Sequence, residues 1–287
     1  MLTLLFDGIA YGMLLFVLAV GLAVTLGLMN FINLAHGAFA MAGGYITVLL
    51  MNRLGVPFLL CLPLAFLGAA LLGAALEPTL YRRMYHRPHL DQVLFSIGLV
   101  FMAVAGVDFF VGPTQQSIRL PDWLRGRFDI EWVGIGKYRL FIIVVCAALT
   151  LVLQWVLSRT RFGSQLRASV DDPRVAGGLG LNVNRIFLLT FAVGSGLAGL
   201  GGALGAEVLG LTPDFPLRFM IYFLIVVSVG GTTTITGPLL AALLLGIADV
   251  AGKYYVPKLG AFIVYTLMVV ILLVRPQGLF ARAGSGK

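Results

Sequence analysis

The chain has 287 residues, of which 60% are hydrophobic and only 11% are charged, and its mean hydropathy is +1.00. Soluble domains are about a quarter charged and lack apolar runs of about 20 residues, so this composition excludes an ordinary soluble domain. It predicts an all-α polytopic membrane protein. The formal charge of +8 comes without the interleaved aromatic residues of a nucleic-acid binder, so it indicates contact with anionic lipid and not with nucleic acid.

Apolar segments follow one another along the whole chain, each near the length that a bilayer core requires or somewhat shorter. They cover residues 4–28, 33–51, 57–76, 93–112, 139–157, 186–206, 217–235, 237–252 and 259–274. We predict eight or nine transmembrane helices, some of them broken, because the short segment 237–252 or a re-entrant piece near Gly230–Pro238 lowers the count by one. The chain 1–287 is then a single transmembrane domain.

The first apolar segment has no basic residue before it, and the first in the chain is Arg53. A secretory signal needs a positive leader, so we predict a retained first span with an outward-facing N-terminus. This orientation places a modest majority of the basic residues in the cytoplasm, including those of the polar segment 159–185. Of the other nine, four fall in a predicted external loop, 113–138.

The polar segment 159–185 carries helix signals of its own. Ser164 is predicted to cap a turn that runs through Val170, and Asp171 or Asp172 to cap a second turn that begins at Pro173. Glycines then supply a stop, at Gly177, Gly178 and Gly180. The predicted hairpin has an apolar side that nothing in the segment covers, formed by Leu166, Val170, Val175, Leu179 and Leu181.

Two interpretations of this hairpin are open. Its five arginines favour the cytoplasmic side, and an ordinary basic loop lying on lipid headgroups explains them. The alternative is a docking surface for a soluble partner. We favour docking, because a loop that only sets topology needs no helix caps.

A polar stretch interrupts the apolar sequence after the first span, at Asn30, Asn33, His36 and Gly37. One interpretation is a polar hinge in which backbone carbonyl groups satisfy His36. The other is a broken helix that lines a translocation path, where unwound backbone meets protein or water.

A second interruption is rich in glycine and hydroxyl groups and ends in Gly237–Pro238. Such a turn predicts a break between two helices, and in transporters such breaks often lie at the substrate path or gate. The residues that we assign to the path or gate here are Ser228, Gly230, Gly231, Thr232 and Thr234.

Small residues recur four apart between Thr190 and Leu209, as in Ser195 with Gly199 and Ala198 with Gly202. This spacing lets helix backbones approach closely. It predicts that Ser195, Gly199 and Gly202 lie in a tightly packed or mobile helix.

No catalytic motif or metal-ligand set stands out, and Cys61 and Cys146 both lie inside apolar runs. The chain also lacks the series of membrane-buried carboxylates that ion-coupled carriers use. We therefore predict a protein that is not an enzyme and that receives its energy from elsewhere. A self-contained secondary carrier or channel is disfavoured for the same reason, and an intramembrane enzyme needs a catalytic pair for which no motif exists.

Five segments, in one order along nearly the whole chain, resemble the permeases of branched-chain amino acid ABC importers. They are GLMNFINLAHGAFAMAGGY, RFGSQLRASVDDPRVAGGLGLNVNRI, FAVGSGLAGLGGAL, SVGGTTTITGP and RPQGLF. The match is better to the LivH-type subunit than to its LivM-type companion, which is usually longer at its N-terminus. The resemblance implies that the chain forms the translocation path together with a LivM-type permease.

The same resemblance implies a pair of cytoplasmic ATP-binding subunits, an external substrate-binding protein and a place in the bacterial cytoplasmic (inner) membrane. No cofactor is expected on this chain, because ATP and magnesium are used by the partner ATPases. The substrate stays open, since similar permeases serve branched-chain or other neutral amino acids, and also urea or short amides.

In that family the loop after the fifth span couples the permease to its ATPases. The loop here departs from the Glu-Ala-Ala form of the coupling motif, with Arg167, Ala168 and Ser169 where acidic and alanine residues are sought. Carried over by position, the implied coupling residues are Phe162, Gly163, Leu166, Arg167, Asp171, Asp172, Pro173, Ala176, Leu179 and Gly180.

Overall fold

The computed structural model describes residues 1–29, 31–85, 87–130, 133–231, 234–275 and 278. Helices dominate this part of the chain. They are α1 (Leu2–Met29), α2 (His36–Leu54), α3 (Phe58–Thr79), α4 (His89–Val111), α5 (Lys137–Arg159), α6 (Arg161–Asp171), α7 (Pro173–Gly178), α8 (Val183–Leu209), α9 (Phe215–Gly230), α10 (Thr236–Tyr255) and α11 (Gly260–Val274). The predicted all-α class is confirmed.

Each predicted apolar segment lies in, or overlaps, a separate one of these helices. Six helices of the described chain are long and apolar enough to cross a membrane: Leu2–Leu26, Phe58–Arg83, His89–Val111, Lys137–Arg159, Val183–Leu209 and Thr236–Tyr255. Two shorter apolar helices, Phe215–Gly230 and Phe262–Val274, add to them. The count of eight or nine spans stays a prediction, because α2 and these short helices do not meet the same criteria.

Helices α1 and α8 form the centre of the molecule. In their most apolar stretches 83% and 72% of the residues are buried, against 11% for α4 and 17% for α5. The outer helices expose large apolar side chains such as Phe101, Met102, Leu151 and Trp155. In a membrane protein such surfaces face lipid or another membrane subunit, because neither offers hydrogen bonds.

Glycines allow the central helices to cross in direct contact. A Cβ atom on Gly43 of α2 would clash with the backbone of Gly199 in α8, and one on Gly202 would clash with the backbone of Ala40. Gly21 of α1 meets Gly194 of α8 in the same way. Backbones that approach this closely gain dispersion contacts that larger side chains would prevent.

The connecting segments gather at two ends of the molecule. At one end lie α6 and α7, together called the α6–α7 hairpin, and Thr234 and Ile235 of the turn between α9 and α10. We call this the hairpin end. At the opposite end Asp7 forms an ion pair with Arg139, and the backbone N–H of Gln116 donates to the carbonyl of Leu211 at 2.8 Å.

The predicted external loop folds over the opposite end. It contains an antiparallel pair of strands, β1 (Arg127–Ile130) and β2 (Val133–Gly136), in which Arg127 pairs with Gly136. Leu120 and Leu124 of this loop are buried. The Trp123 ring meets the Phe141 ring edge to face, with 5.9 Å between the ring centroids. The sequence analysis predicts only an external loop here and no strands.

Candidate coupling and translocation site

The first helix of the hairpin begins earlier than predicted. Thr160 has extended backbone angles and its hydroxyl oxygen accepts a hydrogen bond from the backbone N–H of Gly163 at 3.4 Å, so Thr160 is the N-cap of α6. Ser164 lies inside the helix, where its hydroxyl donates to the carbonyl of Arg161 at 2.9 Å. The prediction that Ser164 caps this helix is therefore wrong, because a better placed hydroxyl stands four residues before it.

The second helix begins as predicted, with Asp172 as the capping residue of the two candidates. Its Oδ1 accepts hydrogen bonds from the backbone N–H groups of Arg174 and Val175 at 2.9 and 3.0 Å. Pro173 occupies the first helical position, where its missing N–H costs nothing. The helix ends at Gly178, and Gly180 follows with φ of +86°, a left-handed conformation that favours glycine.

One face of the hairpin is packed against the membrane helices. Gly163, Leu166 and Ser169 recur three residues apart along α6 and are buried, and Leu166 is only 1% exposed. The prediction that nothing covers the apolar side of the hairpin is wrong for Leu166, because α1, α5 and α8 pack around this residue. In α7, Ala176 is buried as well.

The other face of the hairpin is open. Val175 and Leu179 are 58% and 78% exposed and stand four residues apart, so they belong to one side of the chain around α7. Asp171 and Arg174 are exposed beside them. The Arg167 guanidinium turns back and donates to the carbonyl of Leu157 near the end of α5, which ties α6 to that helix.

A cavity of about 320 Å³ joins the hairpin to the glycine-rich turn. Gly163, Leu166 and Arg167 line it from the hairpin, and Thr234 and Thr236 line it from the turn. Side chains of α1 and α5 complete the wall, among them Val20, Ala23, Val24, Gln154 and Leu157. The structure thus brings three implied coupling residues and one predicted gate residue to the same cavity.

A second, mainly apolar cavity of about 280 Å³ lies between the hairpin and α8. Phe162 and Leu166 line it from the hairpin, and Thr190, Gly194 and Leu197 line it from α8. Leu166 therefore contributes to the walls of both cavities.

The turn after α9 is a sharp break between two helices, as predicted. Gly231 has φ of +78°, and a Cβ on Gly230 would clash with Pro238. Thr234 accepts a hydrogen bond from the backbone N–H of Gly237 at 3.3 Å and is exposed, as is Ser228. Thr232 lies outside the described residues.

The other predicted path element is buried between helices. The Nε2 atom of His36 lies 3.0 Å from the carbonyl oxygen of Leu18 in α1, as the hinge interpretation requires. Asn33 is 1% exposed, and its Oδ1 accepts from the hydroxyl of Tyr81 at 3.3 Å. Its Nδ2 has no hydrogen-bond partner within the described chain. Gly37 packs closely on Pro216, and Asn30 lies outside the described residues.

The predicted packing residues of α8 lie against α2 and α3. Gly199 faces Gly43 and Ala69, and Gly202 faces Ala40. A Cβ built on Gly73 of α3 would lie 2.5 Å from the hydroxyl oxygen of Ser195.

A buried charged group that was not predicted from the sequence lies at the hairpin end of α3. The Glu77 side chain is fully buried and forms a bidentate pair with Arg82, with its Oε2 2.7 Å from Nη2. The hydroxyl of Tyr85 donates to Oε1 at 3.2 Å. Burial, and then the Glu77 carboxylate, raise the pKa of Tyr85 well above its ordinary value, so this donor keeps its proton. The sequence did contain a signal for this ion pair, because Glu77 ends an apolar run and stands five residues before Arg82.

Among the described residues, no group of three or more His, Cys, Asp or Glu side chains is arranged to hold a metal ion. The site consists of apolar walls, amide and hydroxyl groups, and a capped basic hairpin.

Apolar helices of membrane length, packed through glycines and interrupted by a helix break, are typical of a multi-pass membrane protein. The chain belongs to the family of permease components of branched-chain amino acid transport systems. The sequence model of this family matches residues 4–272. It is similar to the high-affinity branched-chain amino acid permease protein BraD of Pseudomonas aeruginosa, with 27% identity over 97% of this chain and 95% of the relative.

The LivH permease protein of Escherichia coli is 26% identical over 97% of this chain and 94% of its own length. The LivM permease protein of the same organism is 29% identical over 93% of this chain but only 68% of its own length. The match thus covers LivH-type relatives almost completely and LivM-type relatives in part, which confirms the resemblance drawn from the sequence. No solved structure matches the chain.

Proposed function

We propose that this chain is the membrane-spanning subunit of an ATP-driven importer for branched-chain or other neutral amino acids. Its partners are a LivM-type permease, a pair of cytoplasmic ATP-binding subunits and an external substrate-binding protein, in a bacterial cytoplasmic membrane. The observation that carries the proposal is the 320 Å³ cavity that the hairpin shares with the turn after α9. The hairpin therefore reaches from its exposed face, which we place in the cytoplasm, to the predicted gate residue Thr234.

The two faces of the hairpin have different tasks in this mechanism. The exposed face, with Val175, Leu179 and Arg174, docks on an ATPase subunit, because apolar groups rimmed by charge are typical of interfaces. The buried face, with Leu166, transmits the movement, because it is packed against α1, α5 and α8.

ATP binding closes the pair of ATPases, and residues 161–184 move as a unit. The movement shifts α8 along the glycine contacts that it makes with α1 and α2. Close backbone contacts suit sliding, since there are few interlocked side chains to release. The path near Asn33 and Thr234 then changes the side of the membrane to which it is open. The Nδ2 group of Asn33 has no hydrogen-bond partner among the described residues, which supports its place near a polar path.

The test is reconstitution of the complete complex in lipid vesicles, with ATP hydrolysis measured with and without the loaded external receptor. Leu179→Glu places a charge on the exposed face and should abolish receptor-stimulated hydrolysis. Leu90→Glu is the matched control, because Leu90 is 68% exposed at the hairpin end of α4 but lies outside the hairpin. Equal stimulation in both variants would contradict the docking role of the hairpin.

Two other functions give different results in the same vesicles. A urea or short-amide importer would transport those solutes and not leucine, with the same ATP dependence. A self-contained carrier would transport with no ATPase present and would respond to a proton or sodium gradient. Mass determination of the complex extracted gently from its native membrane tests the partners directly.

A further inference from the structure

A cavity of about 430 Å³ lies at the end of the molecule opposite to the hairpin, between α1, α5, α8, α9 and α10. It belongs neither to the predicted gate nor to the hairpin. Its volume lies in the range of small-molecule sites. In a chain that is only 11% charged, five charged side chains line this one cavity: Asp7, Arg139, Arg218, Asp249 and Lys253.

Asp249 is the unusual member of this group. It is 1% exposed, and its Oδ2 pairs with Nζ of Lys253 at 2.6 Å. Its Oδ1 is buried and has no hydrogen-bond partner in the part of the chain that the structure describes. A buried carboxylate oxygen without a well-aligned donor is costly, so a bound donor group would stabilise it.

The surroundings of Asp249 suit a cationic donor. Tyr11 and Tyr222 line the same cavity, and the Tyr222 hydroxyl lies close enough to Asp249 to interact with it without making a well-aligned hydrogen bond to Oδ1. The Nζ atom of Lys253 already lies over the Tyr11 ring, 5.7 Å from its centroid. Tyrosine rings attract ammonium groups through their faces. An ammonium ligand would therefore be held by the carboxylate oxygen and by aromatic faces.

The cavity is also lined by Arg218, whose guanidinium N–H groups can donate to a ligand. Arg139 pairs with Asp7, whereas among the described residues the one ion pair of Arg218 is a long contact of 4.0 Å with Asp214. A guanidinium group can bind a carboxylate through two parallel hydrogen bonds. Apolar side chains fill the rest of the wall, including Leu14, Ile142 and Phe219.

We infer that this cavity is a binding site for a zwitterionic α-amino acid with an apolar side chain. Oδ1 of Asp249 accepts from the ammonium group, Arg218 holds the carboxylate, and the apolar wall receives the side chain. The site lies on the side from which an external receptor delivers its ligand. The inference rests on the proposed function and adds to it a substrate contact on this chain, far from the turn after α9.

The test measures equilibrium binding to the complete permease and ATPase complex in lipid nanodiscs, without the external receptor. Three probes separate the groups that are recognised: leucine, 4-methylpentanoate, which lacks the ammonium group, and 3-methylbutylamine, which lacks the carboxylate. Leucine should bind about tenfold or more tightly than either analogue, as expected for loss of one charged hydrogen bond. Equal binding of leucine and 4-methylpentanoate by the unmodified complex would overturn the inference even without a variant, as would the absence of leucine binding.

Variants then assign the ammonium contact. Asp249→Asn should weaken leucine binding about tenfold and leave 4-methylpentanoate binding unchanged. Lys253→Gln breaks the same ion pair but keeps the carboxylate, so it should weaken leucine binding less than Asp249→Asn does. Asp122→Asn controls for loss of an exposed acid at the same end of the molecule. If Asp249→Asn and Lys253→Gln weaken leucine binding equally, the ion pair is structural and the inference fails.

ATP-driven uptake by the same complex separates this inference from the proposed function. If leucine is transported and Asp249→Asn transports it normally, the site is wrong and the function stands. If the complex with its loaded receptor transports no amino acid, the proposed function fails.

Discussion

Gly43 of α2 and Gly199 of α8 meet backbone to backbone, with no room for a side chain on either residue. The contact lies where the two helices cross in the middle of the chain's most buried region. Ala65 and Ala69 of α3 press on Gly199 from another side, so the helix cannot retreat to relieve a clash. The smallest side chain is therefore already too large at this position.

Gly199→Ala should destabilise the protein by about 1–3 kcal/mol, the usual cost of adding a methyl group to a filled interior. The measurement is the thermal unfolding midpoint of the purified complex in detergent. Gly98→Ala is the matched control, because the space around Gly98 in α4 is open. Equal midpoints for the two variants would show that the α2–α8 crossing is looser than described.

Removal of the cap at Asp172 should unwind α7 selectively. Asp172→Ala loses two hydrogen bonds to backbone N–H groups and should cost about 1 kcal/mol of helix stability. Hydrogen exchange of amides in 173–178 measures the loss. Asp171→Ala is the neighbouring control, since Asp171 is exposed and does not cap the helix. Faster exchange in both variants would indicate a charge effect and not a cap.

The two leucines of the hairpin should behave in opposite ways. Leu166→Ala removes a fully buried side chain and should lower stability by about 2–3 kcal/mol, near the low end for such changes because cavities already adjoin it. Leu179→Ala should change stability by less than about 0.5 kcal/mol, because Leu179 is 78% exposed. Chemical or thermal unfolding of both variants measures the change. Similar losses of stability would mean that Leu179 is covered in the folded protein.

Glu77→Gln should destabilise the hairpin end of α3. It replaces a fully buried carboxylate that holds Arg82 and Tyr85, and the cost should be about 1–3 kcal/mol, reduced from that of a fully buried pair because the Arg82 side chain is 35% exposed. The thermal midpoint is the measurement, with Asp91→Asn as an exposed control. In the double variant with Arg82→Met, part of the stability should return, since no unpaired charge remains.

The features that could be predicted from the sequence depend on neighbours in the chain. Apolar runs predict the long helices, and Asp172 followed by Pro173 predicts the start of α7, because a cap and its helix lie within a few residues. The break at Gly230–Gly231 is local in the same sense.

Contacts between distant segments could not be predicted in this way. The burial of Leu166 depends on α1 and α8, which approach it only in the folded chain. Asp7 and Arg139 stand far apart in sequence, and no spacing rule joins them. The strand pair in the external loop was missed because each strand is only four residues long, and two of the four residues of the second strand are glycines, which weaken a strand signal.

Leu166 lines both cavities beside the hairpin and, with Val24 and Leu157, belongs to the wall that they share. A displacement of this side chain therefore transfers free volume from one cavity to the other instead of creating new space. Packed interiors resist intermediate arrangements, so such a shared wall favours two resting positions of the hairpin over a continuous range. Hydrostatic pressure disfavours states with larger voids, and it should thus shift the balance between these two positions even in the absence of nucleotide.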